Sequence, residues 1–117
     1  MDNNYRQLAE LFLPAGILDY FELANVSKDN KGINIFLDEK NIVPAEYKDI
    51  LLHSKGFLPE IQVQDFPIRG QKVALCIRRR RWEVVSSGEV VTRNWTLVRE
   101  GTRMTTEFGL FLKGIFG

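Results

Sequence analysis

"LCIRRRRWEVVSSGEVV", residues 75–91, sets four consecutive arginines inside a stretch that otherwise reads as a β-strand. Successive side chains of a strand point to opposite faces, so Arg78 to Arg81 put charge on both. The residues just before them, Val73 to Ile77, are apolar at every position, the pattern of a strand covered on both sides. The fold therefore turns on where that cover ends and on what meets the arginines. Read as one strand from about Lys72 to Val85, the segment starts in the core on Val73, Leu75 and Ile77. It then runs into solvent as a β-ribbon with the "EVVTR" strand. On this reading Arg78 to Arg81 are mostly exposed.

Working outward, "EIQVQ" before this strand alternates Ile61 and Val63 with glutamines, as a half-buried strand does. "PIRGQK" is a turn punctuated by Pro67 and Gly70. After the arginines, "SSGE" is a tight turn and "VVTRNWTLV" returns as a further strand. Towards the N-terminus, strands over 20–27 and 33–39 flank "KDNKG", whose Asn30 and Gly32 suit left-handed turn geometry. "NIVPAEYKDILLHSKG" opens a short helix at Pro44, since proline is favoured in the first helical turn. At the N-terminus Tyr5, Leu8, Leu11 and Phe12 share one face of a helix over 4–13. Asn3 or Asn4 caps it, and Pro14 with Gly16 ends it. At the C-terminus Met104, Phe108, Phe111, Leu112 and Ile115 have helical spacing, with Thr102 or Thr105 as cap. Gly109 and Gly114 weaken that helix by about 1 kcal/mol each relative to alanine. Helix, several strands, helix predicts a single α+β domain over 1–117, an antiparallel sheet with an N-terminal and a C-terminal helix.

The chain has 117 residues, 44% hydrophobic and 26% charged, which suits one globular domain with a modest core. Its net charge of +1 hides an asymmetry: residues 1–60 carry −4 and residues 61–117 carry +5. A basic half on a near-neutral chain points to a local anionic partner. No signal-peptide pattern opens the chain, and no run of about 18 apolar residues suits a membrane span. A cytoplasmic protein with no membrane partner is the expectation.

The inventory for chemistry is sparse. Cys76 is the one cysteine and His53 the one histidine. A Cys–His pair is compatible with the spacing, but a cysteine in an apolar strand usually packs as a small hydrophobe. A structural zinc site needs four cysteine or histidine ligands, and no glycine-rich phosphate loop follows a strand. The expectation is no enzyme, no cofactor and no metal. "DEK" at 38–40 reads as a hairpin end rather than a catalytic pair. Trp82 and Trp95 are core residues or stacking platforms. The arginine run has two readings. It is an edge strand guarded by charge, or a phosphate-binding surface with Arg69, Lys72, Arg93, Arg99 and Arg103 nearby in sequence. One or two charges suffice to guard an edge, and four adjacent guanidinium groups with only Glu83 as local counter-charge exceed that need.

The stretch 64–105 also resembles the N-terminal DNA-binding region of bacterial insertion-sequence transposases. The family in question has a zinc-ribbon-like segment ahead of a helix-turn-helix and a DDE catalytic domain. The residues that carry the resemblance are Asp65-Phe66-Pro67, Arg69-Gly70, Val73 to Ile77, Arg78 to Arg81 and Trp82. "ILDYFEL" and "KNIVPAEYKD" extend it over most of the chain. It is nearest to a split form, in which a short chain supplies this region and a separate reading frame the catalytic domain. The zinc-binding relatives place Cys-x-x-Cys-Gly just after the aromatic, where this chain has Val84, Ser87 and Gly88. The glycine is kept and both ligands are gone, so packing must stand in for zinc. The catalytic Asp, Asp, Glu set has no counterpart here. A helix-turn-helix would begin near Thr102, but no second helix follows.

The resemblance implies a DNA-binding accessory region that recognises element ends for a separate catalytic chain in transposition. Arg69, Lys72, Arg78, Arg79, Arg80, Arg81, Arg93 and Arg99 are its expected DNA-binding residues. The alternative is a non-enzymatic assembly module or homodimer whose arginine run meets an acidic protein surface.

Overall fold

The computed structural model of the chain describes residues 3–95 and 106–116. Helix α1 (Asn3–Glu10) leads through a short 3-10 turn at Ile17–Asp19 into β1 (Phe21–Asp29) and β2 (Gly32–Glu39). The segment expected to be helical from Pro44 is one 3-10 turn, Ala45–Tyr47. Then follow β3 (Leu52–Phe57), β4 (Ile61–Ile68), β5 (Gln71–Arg78), β6 (Arg80–Val84), β7 (Val90–Thr92) and helix α2 (Thr106–Phe116). This is an α+β fold with flanking helices. Thr102, Met104 and Thr105, expected at the start of the last helix, lie outside the described residues.

The strands form two sheets. The first has four strands in the order β1-β2-β5-β4, and the second has three in the order β3-β6-β7. The pairs β1–β2 and β4–β5 are antiparallel hairpins, but β2 and β5 run parallel, Ile33 opposite Val73 and Asp38 opposite Arg78. The first sheet is thus mixed, where the hairpin pattern alone suggested an antiparallel one. A parallel pair needs a long crossover, and residues 40–70 supply it by visiting β3 and β4 before β5 begins.

The two hairpins turn differently. Asp29 accepts the backbone N–H groups of Lys31 (2.7 Å) and Gly32 (3.1 Å) on Oδ1. Aspartate first and glycine fourth suit a type I turn, and Asn30 does not adopt the expected left-handed φ. In the β4–β5 hairpin the turn is Arg69-Gly70, with φ of 52° and 74°, the pair of positive values that a two-residue hairpin loop requires. Pro67 belongs not to the turn but to a bulge on the edge strand β4, a place where a missing N–H costs little.

Leu37, Leu75 and Ile77 of the first sheet are fully buried. The 3-10 turn covers them with Ile17 and Leu18, α2 with Leu112, and Trp95 stacks on Phe21 at 5.4 Å. Both tryptophans are core: Trp82 is fully buried and Trp95 is 6% exposed. The helix expected over 4–13 ends at Glu10, and the apolar stripe of α1 and the turn after it is not covered in the same way. Ala9 and Leu13 reach the core, while Tyr5, Leu8, Leu11 and Phe12 remain exposed.

Candidate nucleic-acid interface

The long strand expected over 72–85 is two strands in two different sheets. β5 ends at Arg78, and the chain leaves the first sheet at Arg79 and enters the second at Arg80. Only β6 pairs with β7, through Arg81–Thr92, Trp82–Val91 and Glu83–Val90. The arginine run therefore sits at the junction of the sheets and not on a free ribbon. Arg78 is exposed, whereas Arg79, Arg80 and Arg81 are half-buried. The expectation that the run is mostly exposed is corrected: of the four, only Arg78 is exposed.

The reason lies in the acidic doublet that ends β2. Asp38 and Glu39 are consecutive in a strand, so their carboxylates leave it on opposite faces. On one face Asp38 takes Arg78 in a two-point pair, Nε to Oδ1 and Nη2 to Oδ2, both at 2.7 Å. That hydrogen bond holds the Arg78 guanidinium above its ordinary value. On the other face Glu39 is fully buried and collects donors from Arg80 of the second sheet and from Arg93 just beyond it. Its Oε2 accepts Nε of Arg93 at 2.8 Å, and its Oε1 accepts the backbone N–H of Arg80 at 3.0 Å. Its backbone carbonyl accepts Nε of Arg80 at 3.1 Å. Burial pushes the Glu39 carboxyl above the usual range, against the opposing pull of Arg93 and Arg80.

Further contacts complete the junction. The Arg78 and Arg80 guanidinium groups lie 4.2 and 4.7 Å from the centre of the Phe57 ring, within cation–π range. Arg80 also donates to Ser54 Oγ, Arg81 donates from Nη2 to the Lys55 carbonyl at 3.0 Å, and Trp82 donates from Nε1 to Asn41 Oδ1 at 3.0 Å. Arg93, 8% exposed, donates to the Ile42 carbonyl as well and lies among Tyr20, Trp82 and Trp95. A buried, paired arginine of this kind is not a phosphate ligand.

The expected DNA-binding residues thus divide. Arg78, Arg79, Arg80, Arg81 and Arg93 gather at the sheet junction. Arg69 and Lys72, both exposed, lie at the β4–β5 turn. Lys72 and Arg78 are six residue steps apart along β5, roughly 20 Å at 3.3 Å per residue. Arg99 and Arg103 lie outside the described residues. Asp38, Glu39, Asn41 and Phe57 are the junction residues that sequence reasoning missed. Their one visible signal was the acid excess of the first half of the chain facing the basic excess of the second.

Elsewhere the chemistry is sparse too. Cys76 is buried, and desolvation raises its thiol above the ordinary value. His53 is exposed on β3, opposite Glu83, so it is not placed in the strand row that holds Cys76. Among the described residues no three Cys, His, Asp or Glu side chains are grouped to hold a metal ion, and no helix is long and apolar enough to cross a membrane. No protein-family model, curated protein or solved structure matches this chain.

Proposed function

We propose that this chain is a DNA-binding accessory module of an insertion-sequence transposase, itself non-enzymatic, that recognises element-end DNA for a separate catalytic chain. The observation that carries the reading is the set of cations left over once internal pairing is complete. Arg78 and Arg93 have carboxylate partners, while Arg69 and Lys72 stand exposed at a hairpin turn with no ion pair among the described residues. The resemblance to transposase N-terminal regions supports the same reading. The segments that carry it, from Asp65 through Arg69-Gly70 to Trp82, are contiguous as β4, its turn, β5 and β6.

Binding of short duplexes with and without the element end, titrated against salt, tests it. With about four phosphates engaged, log K falls against log salt with a slope near −3.6. Preference for element ends requires base-edge contacts, because phosphate contacts carry no sequence information. Absence of duplex binding at low salt refutes the reading.

A second reading, an assembly module, is favoured by one observation. A groove of about 530 Å³ beside α1 is lined by Tyr5, Leu8, Phe12, Leu23 and Val26, among others. Exposed apolar grooves often mark protein contacts. Mixing with the catalytic chain, and sedimentation of the chain alone, separate a hetero-complex from a homodimer.

A further inference from the structure

The parallel pairing of β2 with β5 has a consequence for charge. Both strands begin at the same end of the sheet, so the β1–β2 and β4–β5 turns lie side by side. The contact is close: a Cβ built on Gly32 would fall 2.3 Å from the Lys72 carbonyl oxygen. Four cations that are scattered in sequence are thereby brought to one end, all exposed: Lys31, Arg69 and Lys72 at the turns, and Lys28 in the row Lys28–Ile33–Val73–Asp65 on the core-side face. None has an ion pair among the described residues. Of the nearby acids, Asp29 spends its carboxylate on the N–H groups of its own turn and on Asn34, and it also attracts Lys31 electrostatically. Asp65 lies opposite Val73, on the core-side face, away from Lys72.

Resting on the DNA-binding reading, we propose that this double-hairpin end is where the molecule meets the DNA backbone, with Lys31 and Lys72 at its centre and Lys28 and Arg69 beside them. Hairpin centres two strand spacings apart stand roughly 10 Å from each other. A major groove is about 12 Å wide. The end sits across the groove, with cations reaching the phosphate rows on its two sides. Lys31 and Lys72 also line one open groove of about 390 Å³ at this end of the sheet, together with Asp29 and with Asn34, Gln62 and Gln64. Their amides add neutral donors for phosphate and sugar oxygens, a common share of backbone contacts. The arginine run holds the two sheets together instead of contacting DNA.

The test is anisotropy of a short labelled duplex with the full chain, over a range of salt. K31A/K72A is expected to weaken binding and to reduce the salt slope by about 1.8, the share of two phosphates, with an unchanged melting temperature. K48A/K113A, which removes the same charge from exposed sites elsewhere, is expected to keep the wild-type slope. Wild-type binding with an undiminished slope in K31A/K72A overturns the proposal and leaves the DNA reading standing. So does a slope that falls in R79A/R81A instead, or equally in K48A/K113A. A wild-type chain that binds no duplex overturns the DNA reading, and this proposal with it.

Discussion

Glu39 and Arg93 are each nearly without solvent, 1% and 7% exposed at the side chain, and each is tolerable because of the other. A buried pair of this kind adds little over an apolar pair of the same shape, but losing one partner leaves a bare charge in the core. Arg93→Ala is therefore expected to cost about 3–5 kcal/mol, read by urea denaturation. By comparison, Leu75→Ala, which empties a fully buried site in the middle of β5, is expected to cost about 2–5 kcal/mol. A loss under about 0.5 kcal/mol for either, the range of surface changes, would contradict the core described above. Burial raises the Glu39 carboxyl in the folded state. A raised folded value means that its contribution is fully present below the unfolded value and is lost as pH rises through the folded one. Relative to the non-titrating E39Q variant, the wild type should gain stability as pH is lowered from neutrality into the carboxylate range. A pH-independent gap between the two urea midpoints would show that Glu39 is not raised.

At the scale of elements, the parallel register of β2 and β5 depends on Gly32. Its φ is +144°, and any Cβ there meets the Lys72 backbone at 2.3 Å, which no rotamer relieves. Gly88 also has a positive φ, +75°, but open space around it. Gly88→Ala should cost about 1–2 kcal/mol, the left-handed penalty alone. Gly32→Ala should cost clearly more, because the pairing of β2 with β5 must open to admit the methyl group. Thermal melts of the two variants compare them directly, and equal losses would mean that the close approach is not essential. The break at Arg79 is an element-scale event of the same kind. β5 loses its last partner at Arg78 opposite Asp38, and Arg79 offers its carbonyl to the N–H of Leu58 at 2.8 Å. Glu39 takes the N–H of Arg80. The carbonyl of Arg79 and the N–H of Arg80 thus both find partners where the chain changes sheets.

For the whole molecule, the second sheet closes by backbone pairing and apolar burial among the described residues. Val84 and Gly88 close the β6–β7 turn by a 2.7 Å backbone bond from Gly88 N–H to the Val84 carbonyl. Trp82, paired with Val91 across the two strands, is fully buried. A strong chelator is expected to leave the melting temperature unchanged, and a large drop would reveal a structural metal, since such a metal contributes directly to folding. The cover expected on both faces of β5 is incomplete at half-buried Ala74, but the α+β class, the β1–β2 and β4–β5 hairpins and the burial of Val73, Leu75 and Ile77 were legible in the sequence. Each is written in local spacing: the period of apolar residues, a glycine at a turn, a run without charge. The parallel pairing, the break at Arg79 and the exposed stripe of α1 were not, because each depends on a partner distant in the chain. So does the role of the arginines. Their number and the opposite charges of the two halves are sequence facts. That Asp38 and Glu39 would meet Arg78, Arg80 and Arg93 across about 40 to 54 positions was decided by tertiary structure alone. An ion pair needs a few ångströms of space, and only the folded sheet brings those groups that close.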